Sequence, residues 1–496
     1  MNYRIRILQY LASATVLGAS LCHAAIYYVD GSTSSDSNPG TYSQPLLHIQ
    51  HAVDQAISTN DTIYVKRGVL HTERVIILRK NGITLTTYGS GAKPIIDGYD
   101  LQPGGSGTTP GSYSLGMIDV RLSQNIVIEN FHVQNSRHAG ISVSNSAGPG
   151  EGAPAIGTPC DDITIRYCDT EDTAASGIVV TAQDAVNGTS IINPVTDVTV
   201  RNCTVDDANT AVNGAEAITF RRVHDLWCYD NDVTNNYKEG INVVDGCKDG
   251  YIYRNYVADM YDPTSGSYFT NGRGTGIYVD GAGASGTDKT ENINISDNII
   301  HDQANGIVIN TETGGDIDGV NIYNNIVYNN KFVNFILGGD GGNNGGVWGD
   351  RKNVKVFNNT FVGDVANWIV RVIENNSTSS KIAGFEFKNN ILYRASNQNW
   401  SMIKDTLTST SYYTHNLYYN GGGTMTGNLG SSRVESSPSF TSKTWSTWPY
   451  STNYYIPPYS AAVEAGTTLS IVTDDISGKS RPDGTTHDIG ALEGDH

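Results

Sequence analysis

The chain has 496 residues, 38% of them hydrophobic, which is enough to build a large core and excludes wholesale disorder. Asp and Glu number 50 against 32 Lys and Arg, a net charge of −18 with no basic block, so a nucleic-acid partner is excluded because phosphate contacts dominate that affinity. Gly is abundant at 54, and Tyr leads the aromatics at 29, a residue that serves both strands and sugar-binding surfaces.

Residues 1–24 read as a signal peptide. Arg4 and Arg6 precede an apolar stretch from Ile7 to Leu21, and Ala24 supplies a small residue at the cleavage point. The stretch is too short for a membrane span, and no later one approaches the roughly 18 residues required. A secreted protein, extracellular or periplasmic, with no membrane insertion is expected. Cleavage leaves Cys160, Cys168, Cys203, Cys228 and Cys247, too few for a disulfide framework, and no CxxC pair suggests zinc.

Residues 25–62 combine a strand around Tyr27, Tyr28 and Val29 with an amphipathic run. In that run Leu46, Ile49, Ala52, Val53, Ala56 and Ile57 recur at helical spacing, which predicts an N-terminal cap helix.

Residues 63–432 carry a repeat, apolar-x-apolar-x-x-Asn-x-apolar. It reads IVIENFHV at 126–133, VTVRNCTV at 198–205, INISDNII at 293–300 and VKVFNNTF at 354–361, among nine copies. The sixth position holds Phe131, Cys168, Cys203, Asn231, Asn255, Asn298, Asn325, Asn359 and Asn390, at intervals of 24 to 43 residues. A second motif, Gly-apolar-x-apolar, starts at Gly140, Gly177, Ala217, Gly240, Gly276 and Gly306. Short strands stacked at such a period predict an all-β parallel β-helix, a solenoid whose coils lie about 4.8 Å apart. The six asparagines would form a buried ladder. Cys168 and Cys203 would be neighbours in it, either bridged or as two buried thiols. Residues 433–496 lose the repeat and read as a C-terminal capping segment of the same domain, wrapping the last coils.

The opening YYVDGSTSSDSNPGTYSQPLLHIQHAV, the repeats and the closing DDISGKSRPDGTTHDIGALE resemble the secreted right-handed parallel β-helix proteins, the superfamily of pectate lyases, polygalacturonases and mannuronan epimerases. The resemblance spans nearly all of 26–496. It implies right-handed coiling and action on polysaccharides. The reaction signatures differ: Asn310-Thr311-Glu312 half resembles the polygalacturonase Asn-Thr-Asp, and Asp262-Pro263 lacks the His-Glu of epimerases. The calcium-and-lysine type of pectate lyase remains compatible.

Long insertions at 145–162, 182–197, 256–275 and 281–292 flank nearly minimal coils at 217–226 and 240–250, which predicts a groove for an extended polysaccharide. Aligning the Gly strands stacks Ser142, Val179, Thr219, Asn242, Tyr278 and Val308 outward, and then Ser144, Thr181, Arg221, Val244, Asp280 and Asn310. Three readings follow, all for a protein expected to be a monomer. In a lyase acting by β-elimination on pectate or alginate, Arg221 and Arg222 would clamp the uronate carboxylate. Asp245, Asp249 and Asp280 would hold Ca²⁺, Lys248 or Lys238 would serve as base, and Asn242 and Tyr278 would contact the sugar. In a glycoside hydrolase, Glu216 and Glu239, one coil apart, would be the catalytic pair. In a non-catalytic carbohydrate-binding protein, the same polar stripe would be a solvated face. His138 and His224 are single histidines without metal-ligand spacing and are expected to be structural.

Overall fold

The structure is a computed structural model that describes residues 24–57, 59–99, 115–146, 160–182, 194–210, 215–259, 274–281, 289–311, 315–338, 349–363, 368–374, 382–398, 400–407, 412–441 and 454–494. Most of the signal-peptide stretch and most of the four long insertions lie outside these residues. Among the described residues no helix is long and apolar enough to cross a membrane.

Each coil is built from three short strands. In the shortest, Val223–Tyr229 belongs to a first sheet (sheet A), Asp232–Thr234 to a second (sheet B) and Ile241–Val244 to a third (sheet C), before Lys248–Tyr253 re-enters sheet A. Every strand of the three sheets pairs in parallel with its equivalent one coil away, and the sheets hold 14, 13 and 11 strands. Alternation drives this arrangement. Leu226, Cys228, Val233, Ile241 and Val243 point inward and are wholly buried, while their neighbours point out. Higher up, the core turns aromatic, with Phe335, Phe361 and Phe387 packed ring to ring.

The turn from sheet A to sheet B carries the ladder. Each Asn side chain accepts from the backbone N–H of the coil before and donates into the coil after. Asn325 Oδ1 accepts from the N and Nδ2 of Asn298, both at 3.0 Å. Its own Nδ2 donates to Asn359 Oδ1 at 2.9 Å and to the Ile295 carbonyl at 2.9 Å. The ladder runs from Asn231 to Asn390, as the repeat predicts, and continues one rung further to Asn416. Cys168 and Cys203 continue the column as buried free thiols, and burial and the neighbouring Cys168 push the Cys203 thiol well above its ordinary value.

The residue before each ladder position has left-handed backbone: Asn130, Tyr167, Asn202, Asp230, Arg254, Asp297, Asn324, Asn358 and Asn389 all have positive φ. A parallel column on the entry to sheet A comprises Asn125, Asp162, Asp197, Asp225, Asp249, Asn292, Gly319 and Asn353. Asn, Asp and Gly tolerate this region best, and so they mark the corners of the coil.

At the N-terminal end, Ile26–Val29 pairs with Asp61–Lys66, and the helix Ile49–Gln55 buries Ile49, Ala52 and Val53 over the first coils. Ile57, assigned to the same apolar face, is 86% exposed, because the chain leaves helical geometry at Ala56.

The C-terminal segment lies along the outer face of sheet B. Phe440, Tyr454, Ile456, Ile476, Ile489 and Leu492 pack on Ile299, Ile326, Tyr328, Ile391, Tyr393 and Leu417. Three left-handed asparagines tie it down: Asn324, Asn358 and Asn389 donate to the carbonyls of Asp474, Asp488 and Thr467 at 2.6, 2.8 and 2.8 Å. A fully buried Arg481–Glu493 pair at 2.9 Å locks the segment's own fold.

Asn325→Ala removes hydrogen bonds to two coils at once and leaves buried donors and acceptors unpaired, each costing about 1–3 kcal/mol. Chemical denaturation followed by circular dichroism should show a loss of at least about 2 kcal/mol, whereas replacing the outward Asn321 with Ala should change stability by less than about 0.5 kcal/mol.

Candidate active site on the outer face of sheet C

Sheet C is made by the Gly-apolar strands, and its register is the one expected from their alignment. Ser142, Val179, Thr219, Asn242, Tyr278 and Val308 are paired neighbours in one row. Ser144, Thr181, Arg221, Val244, Asp280 and Asn310 form the next. The corner glycines fit a steric need. A Cβ on Gly240 would come within 2.4 Å of the Val257 side chain, where the strand bends past sheet B.

Two residues before the paired Ile218 and Ile241 stand Glu216 and Glu239. Lys238 Nζ lies 3.0 Å from Glu216 Oε1 and 3.1 Å from Glu239 Oε2, so one ammonium joins both carboxylates. Thr219 donates its hydroxyl to the other oxygen of Glu216 at 2.9 Å, and Ser176 and Thr219 share a further hydrogen bond at 3.2 Å. Both glutamates are more than nine-tenths buried. Burial disfavours the Lys238 ammonium, but the charges of Glu239 and Glu216 outweigh it and raise its pKa. Lys238 is therefore held charged and cannot be the depressed-pKa base of the lyase reading.

Asn242 stands beside Thr219 in the same row, 5% exposed, with a buried Oδ1 that meets no hydrogen-bond partner among the described residues. The Oδ1 of Asn310, in the next row, is in the same state. Buried amide oxygens are normally paired, so two of them on one sheet face suit a ligand rich in hydroxyl donors.

The remaining sequence-predicted residues do not assemble as expected. Arg222 is buried, and it donates to the Ala182 carbonyl at 3.2 Å and to Asp245 Oδ2 at 3.0 Å. Arg221 Nε donates to the same Asp245 oxygen. Asp245 therefore serves two guanidinium groups rather than a metal ion, and Arg222 holds a corner rather than a substrate. Arg221 alone of the three presents a side chain that is 41% exposed. Asp249 belongs to sheet A, at a left-handed corner where it accepts from Asn292 Nδ2 at 2.9 Å. Asp280 is buried at the end of its sheet C strand. These three carboxylates do not converge on one ion. Lys248 also begins a sheet A strand, 3.3 Å from Glu291. The ring of Tyr278 packs against Val308, Val333 and Ile336, and its hydroxyl accepts from Asn310 Nδ2 at 3.4 Å, so it is not an open platform for stacking on a sugar. His224 is on sheet A, where burial and then Lys248 lower its pKa, in keeping with a structural role.

One polar cluster on this face escaped the alignment. Asp119 is wholly buried between Arg74 and Arg121, and Ser142 donates to it at 2.9 Å. Its strand, Gly116–Arg121, pairs Gly116 with Ala139 rather than Gly140 and carries Asp119 where the Gly-apolar-x-apolar motif has an apolar residue, so the motif did not mark it.

A family model described as periplasmic copper-binding protein (NosD) matches residues 53–264. No curated protein matches. Among solved structures, the chain is similar to XylC, solved in complex with xylose, at 13% identity and a TM-score of 0.51, covering 94% of this chain and 98% of that one. It is similar to pectate lyase Pel9A at 16% identity and a TM-score of 0.49, over 95% and 96% of the two chains. The GH136 lacto-N-biosidase from Eubacterium ramulus is similar at 14% identity and a TM-score of 0.47 over 77% of this chain, which covers 66% of its length, just under two thirds. At such identity the likeness is one of fold.

Asp245→Ala would break the buried ion pair with Arg222, and breaking a buried pair in this way costs about 3–5 kcal/mol. Arg221→Ala, at a more exposed site, should cost less than about 1 kcal/mol. Thermal melts of the two variants should separate accordingly.

Proposed function

We propose that this parallel β-helix is a polysaccharide-active enzyme of the pectate-lyase-like superfamily, in the extracellular or periplasmic space, that works on the outer face of sheet C. The observation that carries this reading is the pairing of Glu216 with Glu239 in adjacent coils around one ammonium. The two glutamates occupy equivalent positions one coil apart, beside a hydrogen-bonding row that an extended sugar polymer can follow. XylC, of similar fold, was solved in complex with xylose.

Of the chemistries open to this site, hydrolysis of a glycosidic bond has the best support. The two carboxylate oxygens that share the Lys238 ammonium can be no more than about 6 Å apart, short of the roughly 6.5–9.5 Å of inverting glycosidases and compatible with the ~5 Å of retaining ones. Glu216 accepts hydrogen bonds on both oxygens, from Lys238 and Thr219, which suits an ionised nucleophile. Glu239 is then the acid. Having taken up a proton from solvent once Lys238 withdraws, it gives that proton to the leaving glycosidic oxygen as Glu216 bonds to the anomeric carbon, and it takes a proton from the water that later breaks that bond. Entry of a sugar ring requires Lys238 to release Glu239, and the ammonium side chain, 28% exposed, has solvent to move into. Asn242 and Asn310 would accept from sugar hydroxyls.

β-Elimination on a uronate polymer is the second reading. The exposed guanidinium of Arg221, in the next row of the same coil, favours it as a carboxylate clamp.

Incubation with a panel of neutral and uronate polysaccharides separates the two. Hydrolysis yields new reducing ends without the ultraviolet absorbance of an unsaturated sugar, and Glu216→Gln and Glu239→Gln should each slow it by about 10²–10⁴-fold while the chain still folds and binds. Ultraviolet-absorbing product lost in Arg221→Ala would establish elimination instead. Binding without either product would defeat both.

A further inference from the structure

The outer face of sheet B divides where the C-terminal segment begins to cover it, and at that boundary side chains from two consecutive coils converge. His301 ends the strand Ile299–His301 and is 7% exposed. Its ring stacks on Tyr328 at 4.5 Å, meets Tyr256 edge-on at 5.1 Å, and through Tyr328 touches Tyr454 of the C-terminal segment. The two nitrogens face different groups. Nε2 lies 2.8 Å from the Tyr256 hydroxyl, and Nδ1 lies 2.5 Å from Asp302 Oδ2. Asn329 donates to the other oxygen of Asp302. Asp259 closes the group: one of its oxygens, one His301 nitrogen and one Asp302 oxygen all lie within 4.8 Å of one another. Asp259 and Asp302 are equivalent corner residues of successive coils, both left-handed with φ of 54° and 53°, and so present their carboxylates to the same side one coil apart.

We propose that His301, Asp259 and Asp302 form a binding site for a divalent transition-metal ion of the zinc class. One imidazole nitrogen and two carboxylate oxygens are a donor set that suits zinc and its neighbours and that calcium, which takes oxygen ligands, does not use. The hydrogen bond between Nε2 and the Tyr256 hydroxyl leaves Nδ1 facing Asp302. This is the outer-sphere bond that ligating histidines normally make. Asn329 fixes Asp302 in the same way. On binding, the metal–Nδ1 bond replaces the hydrogen bond between Nδ1 and Asp302, and the proton of that hydrogen bond passes to solvent. The ion would clip the coil ending at Asp259 to the one ending at Asp302, at the edge of the C-terminal clasp. This site is independent of the proposed active face on sheet C.

The test is titration of the purified, chelator-treated protein with zinc chloride by calorimetry, together with thermal melts. One zinc per chain is expected, with a melting temperature raised by several degrees, since an ion that binds only the folded state stabilises it. Asp259→Asn and His301→Gln should each weaken zinc binding at least about tenfold, and Tyr256→Phe by about 10–100-fold as an outer-sphere change. Asp259 is only partly buried, so Asp259→Asn should retain the native circular dichroism spectrum, and it decides the matter if His301→Gln fails to fold. Absence of stoichiometric zinc, wild-type affinity in Asp259→Asn, or calcium binding as tight as zinc would each overturn the proposal.

Discussion

A solenoid strand can satisfy its backbone only with the coil above and the coil below. Everything in this protein follows from that restriction. Whatever a coil buries must recur at the same height in its neighbours, or a polar group is stranded in the core. The asparagine column is the plainest case: each amide is both the acceptor for one storey and the donor for the next, so no rung stands alone. Replacing Asn by Cys at 168 and 203 is tolerated because a small apolar thiol asks for nothing, and both sulfurs still lie near backbone carbonyls.

The same restriction explains what could be read from the amino acids. Inward alternation and the Asn turn recur with every coil, so the solenoid, its cap helix and the pairing of the sheet C rows were all available in the chain, down to Thr219 beside Asn242 and Arg221 beside Val244. What escaped was side-chain partnership across corners. Asp245 and Asp249 are four residues apart, yet the chain turns from sheet C to sheet A between them, so one faces two guanidinium groups and the other an exposed asparagine column. In the sequence Lys238 reads as a candidate base. Its reach to two glutamates depends on where the corner before sheet C points its side chain, and no periodicity encodes that. The Asp259, His301 and Asp302 group was hidden for the same reason, its members contributed by corners 43 residues apart in the chain but one coil apart in space.

The three outer faces consequently have separate uses. Sheet C carries buried carboxylates and amide oxygens that are unpaired among the described residues. Sheet B in the upper coils is given over to the C-terminal segment. Sheet A shows stacked rings, with Trp227 on Tyr251 and Tyr229 on Tyr253, that pack on one another.

Where the C-terminal segment crosses sheet B, the ladder asparagine is preceded by a second asparagine: Asn324-Asn325, Asn358-Asn359 and Asn389-Asn390. In each pair one amide serves the interior and the other grips the clasp. This sets where the column can change height over evolution. A whole storey gained or lost between Phe131 and Asn298 leaves the three grips evenly spaced, whereas the same event between Asn324 and Asn390 would pull them out of step with a strap of fixed length. Growth and shrinkage of the molecule should therefore be confined to its lower half.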